Sequence, residues 1–76
     1  MHFGATLKML RLASGISQKQ LATSIGVSVP YLSRVDHGHD APPTVDRLKA
    51  IAQVLGLPKD SLIELVEELR VWSKIT

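Results

Sequence analysis

The chain has 76 residues and no cysteine, and its net charge of +2 is skewed: Lys8, Arg11, Lys19 and Arg34 are the only charged residues before Asp36, while from Asp36 onward there are five basic and seven acidic side chains. A chain this short has one small core and no deep substrate pocket, which speaks against an enzyme; the lack of thiols excludes disulfides and thiolate metal sites. Apolar runs of two or three residues exclude a membrane span and no signal-peptide layout opens the chain, so the cytoplasm is the default expectation, and the basic first half points to a polyanionic partner.

Gly15, Gly26, the stretch Gly38 to Pro43, and Gly56 with Pro58 punctuate the chain. Between them apolar residues recur every three or four positions without β-branched alternation, which predicts five helices and an all-α fold. The first helix buries Phe3, Leu7 and Leu10 and stops at Gly15. The second starts at Ser17, which with Gln20 has the spacing of a capping box, and turns Leu21, Ala22 and Ile25 inward. Ser28 caps the third; Pro30 falls in its first turn, where a missing N–H leaves no helical bond unmade, and Leu32 and Val35 face the core.

The fourth helix is expected to start behind a Thr44 cap and to bury Leu48, Ile51, Ala52 and Leu55. Pro58 is expected to open the fifth, whose stripe of Leu62, Leu65, Val66 and Leu69 continues to Trp72. The whole, 1–76, reads as a single domain with its core over about 3–66 and with 67–76 an extended C-terminal part of the last helix.

Within "SQKQLATSIGVSVPYLSRVDHG" a helix, a tight turn and a second helix occupy about twenty residues. Ala22 suits a close crossing of two helices and Gly26 suits the turn between them. This is a helix-turn-helix constellation. From about Leu7 through Leu57 the chain resembles the Cro/phage-repressor-like (XRE-type) family, with SQ-x-x-LA, G-V-S, Y-L-S-x-V and "LKAIAQVLGL" in family order. The resemblance implies a compact five-helix, lambda-repressor-like domain whose third helix enters the major groove of double-stranded DNA. It also implies a salt bridge between Arg11 and Asp36, where relatives usually carry glutamate.

Helical phase turns Pro30, Ser33, Arg34 and His37 outward, with Val29 and Tyr31 on the flanks. The family's base-reading positions fall on Ser28, Val29, Pro30 and Arg34, with Ser33 beside them. Arg34 is the strongest, because its planar fork matches O6 and N7 of guanine, whereas Val29 and Pro30 offer only apolar contact. Phosphate contacts are expected from Gln18, Tyr31, His37 and His39.

The sequence "DHGHD", Asp36 to Asp40, also has the composition of a metal site. Asp36 is claimed by Arg11, however, His37 and His39 flank a sharp turn, and no further ligand cluster completes a coordination shell. Neither a metal nor another cofactor is expected. The function expected is sequence-specific transcriptional regulation, as a homodimer or as part of a longer chain, with Leu69, Trp72 and Ile75 as the dimer contact. The alternative is an antitoxin-like or adaptor module whose fifth helix recruits a protein and whose DNA binding is secondary.

Overall fold

A computed structural model describes residues 2–75, the side chains of Ser73 and Ile75 excepted. Five helices follow in order: α1 (Phe3–Ala13), α2 (Gln18–Ile25), α3 (Val29–Asp36), α4 (Val45–Leu55) and α5 (Ser61–Ile75). No strand occurs among the described residues. The expected all-α, five-helix architecture is the one observed.

Helix α3 is held between α1 and α2, α4 packs on α2 and α5, and α5 closes against α1. The core at their centre contains Leu7, Leu21, Leu32, Ile51 and Leu62, each no more than 1% exposed. Burial of one such side chain stabilises by about 1.5–3 kcal/mol, so this handful is a large contribution for a chain this small.

Each helix start has a local cause. Ser17 Oγ accepts from Gln20 N at 3.0 Å and Gln20 Oε1 accepts from Ser17 N at 2.8 Å, the reciprocal box expected for α2. Ser28 Oγ accepts from Tyr31 N at 3.1 Å and so caps α3. Gly26, at φ 72°, makes the left-handed turn that lets α3 leave at a new angle.

Two expectations about helix starts need correction. Thr44 occupies the cap position of α4, but its side chain makes no capping bond; only its carbonyl serves the helix, accepting from Leu48 N at 2.9 Å. Pro58 does not open α5. Its carbonyl accepts from both Ser61 N (3.1 Å) and Ser61 Oγ (2.7 Å), which closes a turn and delays the helix to Ser61.

The stripe on α5 also ends earlier than expected. Leu62 and Val66 are buried, Leu65 and Leu69 are half-buried, and Trp72 is 62% exposed. Ten residues after Leu62, the helix has carried Trp72 about 80° off the core-facing line. The expected contact at Ile75 lies outside the described side chains.

One close approach was not foreseen. A Cβ built on Gly4 would lie 1.7 Å from the Val35 carbonyl oxygen, so α1 and α3 touch backbone to backbone.

Candidate nucleic-acid interface

The outer side of α3 is the only part of that helix left after packing. Leu32 and Val35 are buried, whereas Val29, Pro30, Arg34 and His37 are exposed and Ser33 is half-exposed. The expected base-reading set of Ser28, Val29, Pro30, Ser33 and Arg34 is thus brought to one surface. Ser28 Oγ uses one of its two acceptor positions in the cap, and its hydroxyl hydrogen is available as a donor.

The attitude of this surface is set by a buried network at the far end of α3. Arg11 Nη2 donates to Asp36 Oδ2 at 3.0 Å, with side chains only 5% and 2% exposed. Arg11 Nη1 donates to the Ile16 carbonyl at 3.1 Å, and Gln18 Nε2 donates to the same Asp36 oxygen at 2.8 Å. A buried ion pair loses much hydration, and only additional hydrogen bonds offset that loss. Here they come from the α1–α2 turn and the start of α2, so four segments are pinned together. The shorter aspartate reaches its arginine without difficulty.

That network also takes in Gln18, expected at a phosphate: the side chain is half-buried, and one N–H of its amide donates to Asp36, which gives the charged acceptor a second donor.

Tyr31 is half-buried against the core, and two guanidinium groups lie against its ring. The Cζ of Arg47, from the first turn of α4, is 5.4 Å from the ring centroid, and that of Arg34 is 6.0 Å away. Arg47 is exposed, and the sequence reading missed it. Sixteen residues separate it from Tyr31, so no local spacing signals the contact.

Beyond α3, Gly38 at φ 76° reverses the chain. The N–H of His39 reaches back to the Arg34 carbonyl at 2.9 Å and that of Gly38 to Val35 at 3.0 Å, a helix stop that only a left-handed residue permits. This return brings Asp40 Oδ2 to 3.1 Å from Arg34 Nε. With side chains 52% and 33% exposed, the pair contributes under about 1 kcal/mol to stability. Asp40 was also missed, although the expected stop at Gly38 was the signal for it.

The five residues of the Asp36–Asp40 stretch go separate ways. Asp36 is inside with Arg11, and the His37 ring nitrogen Nδ1 lies 2.7 Å from the Ser33 carbonyl. His37 and His39 have their rings stacked with centroids 6.2 Å apart, and Asp40 holds Arg34. No three metal-ligating side chains converge among the described residues. Chemically, the surface presents basic forks, an aromatic ring and helix-borne polar groups, a set suited to phosphates and base edges.

Adjoining the segment after α3, an open groove of about 570 Å³ lies between the start of α1, the Gly38–Pro42 segment and α5; Phe3, Val66 and Leu69 line it beside His39 and Asp40, with Arg70 and Lys74 at its edge. Val71 and Trp72 stand exposed elsewhere on α5, beside Glu67 and Glu68.

Residues 7–62 match the helix-turn-helix family model HTH_3. The chain is 35% identical over 74 residues to the HTH-type transcriptional repressor RghR of Bacillus subtilis (strain 168), covering 90% of this chain and 55% of that protein. It is 35% identical over 57 residues to the propionyl-CoA carboxylase regulator of Cereibacter sphaeroides, covering 75% of this chain and 12% of that protein. Among solved structures, SinR, the master regulator for biofilm formation, in complex with DNA superposes with a TM-score of 0.70 at 28% identity. The match covers 80% of this chain and 97% of that one. The chain therefore spans about half the length, or less, of these curated relatives.

Proposed function

The chain belongs to the HTH_3 helix-turn-helix family, of Cro/C1 (XRE) type, and from that premise we propose that it is a DNA-binding transcriptional regulator that lays α3 in the major groove of duplex DNA. The observation that carries the reading is the outer side of α3, which presents Arg34 among small and apolar neighbours while the Arg11–Asp36 network holds the helix in place. Arg34 reads a guanine, Ser28 and Ser33 supply hydroxyls, and Val29 and Pro30 contribute apolar contact and shape. Tyr31, His37 and His39 meet the phosphates, and Arg47 joins them from α4.

The same reading has no catalytic step: it is binding that the exposed groups are suited to do. DNA reading would be carried out in the cytoplasm. No helix among the described residues is long and apolar enough to cross a membrane.

We further propose that two copies associate through α5. The exposed Trp72, flanked by Glu67 and Glu68, matches in chemistry the Phe3–Leu69 groove with its Arg70 and Lys74 rim on a second copy. A two-fold axis makes that contact twice, and reading two half-sites on one face of DNA requires the two α3 helices to stand about 34 Å apart, one turn of the duplex. Selection from a pool of random duplexes tests the function. A two-fold symmetric consensus whose binding weakens steeply with salt is expected. Failure to enrich any sequence from the pool would overturn it.

A further inference from the structure

We propose that Asp40 determines how Arg34 reads a base, a positioning role that rests on the DNA-binding reading above. A guanidinium has five N–H groups in one plane, and two-point recognition of guanine uses two of them along one edge. Asp40 Oδ2 occupies the Nε hydrogen of Arg34 at 3.1 Å. That occupies the edge containing Nε and leaves the terminal edge, Nη1 with Nη2, as the pair of donors for a base.

The carboxylate is held there by the backbone. The N–H groups of His39 and Asp40 both reach the Arg34 carbonyl, at 2.9 and 3.4 Å, so the segment carrying Asp40 is folded back over the residue it orients. The bend at Gly38 is fitted as well: a Cβ there would meet the His2 ring at 3.0 Å, and His2 in turn caps α1 by accepting from Ala5 N. The Cζ of Arg34 also lies 6.0 Å from the Tyr31 ring centroid. The guanidinium thus has both a carboxylate and an aromatic ring as neighbours.

The pairing also decides what happens on a wrong sequence. With Asp40 beside it, Arg34 brings no net charge to the DNA surface, so it gains little from a phosphate alone. On a matching sequence the free terminal edge engages guanine while Nε keeps Asp40. Asp40 therefore withholds affinity from random DNA and leaves it to the matching site.

The test uses Asp40→Asn, Arg34→Ala and the double variant, each measured on the duplex that the wild type selects from a random pool and on unselected duplex, over a salt series. Thermal melts of Asp40→Asn should superpose on the wild type, since the pair is half-open to solvent. Expected is tighter binding of Asp40→Asn to random duplex with a log–log salt slope steeper by about one. Its affinity for the selected duplex should stay level, so that selectivity falls roughly ten-fold. In the Arg34→Ala background the same change should raise both affinities together and leave selectivity where it was. Unchanged selectivity in Asp40→Asn, or an equal change with and without Arg34, would overturn the role. A wild type that selects no sequence would instead remove the DNA reading itself, and Asp40 with it.

Discussion

Gly4 and Arg34 show how much single positions carry. By backbone entropy alone, alanine in place of a helical glycine gains up to about 1 kcal/mol. At Gly4, however, the new methyl would lie 1.7 Å from the Val35 carbonyl oxygen, and that neighbour is backbone, which cannot swing aside. The clash outweighs the propensity gain, and Gly4→Ala should lower stability by about 1–3 kcal/mol, read from urea unfolding. A variant more stable than the wild type would mean that α1 and α3 do not touch there. For Arg34→Ala the expected loss is about 1–3 kcal/mol in binding the selected duplex, with relaxed preference at one base pair per half-site. Equal losses on selected and random DNA would reduce Arg34 to a phosphate contact. Gly4 was invisible in the sequence because a glycine near a helix start looks like a weak helix former until the opposing carbonyl is known. Arg34 was legible because its phase follows from Leu32 and Val35 alone.

At the scale of elements, α3 is secured at its start by a local cap and at its end by a network reaching three other segments. Removing Arg11 leaves Asp36 buried with one donor fewer, and Arg11→Ala should destabilise by about 3–5 kcal/mol. Thermal melts of Arg11→Ala, Asp36→Ala and the double variant should show strong non-additivity. Gln18 offers a sharper discrimination. Its bond to a charged acceptor predicts that Gln18→Ala lowers stability by about 1.5 kcal/mol, toward the weak end because the site is only partly buried. A direct phosphate contact predicts something else, an unchanged melt and a salt slope shallower by about one. Helix starts were readable wherever the signal is a side chain talking to its own turn, as at Ser17 and Ser28. They were misread where the backbone decides, as at Pro58, whose carbonyl rather than ring geometry sets the start of α5. The Tyr31–Arg47 contact was beyond reach for a third reason, since it depends on how α4 returns beside α3.

For the whole molecule, the test of assembly is Trp72. At 62% exposed it contributes little to folding, so Trp72→Ala should leave the unfolding free energy within about 0.5 kcal/mol of the wild type while abolishing self-association in sedimentation. Loss of stability with no change in sedimentation would assign Trp72 to the core. The poverty of the α3 surface has its own consequence when stated as information. One base pair fully read is one choice in four, or two bits, and Arg34 alone among the outward side chains of α3 has the donor fork for such a reading. A genome offers about a million or more competing sites, so naming one of them requires roughly twenty bits. A single copy falls far short of that sum. Doubling the half-site by symmetry doubles the message without adding a new letter, and the remainder must come from DNA shape, further contacts or the tolerance of several addresses. On the proposed reading, the chain is built to recognise a class of sites in concert with another copy, and its precision is a property of the pair.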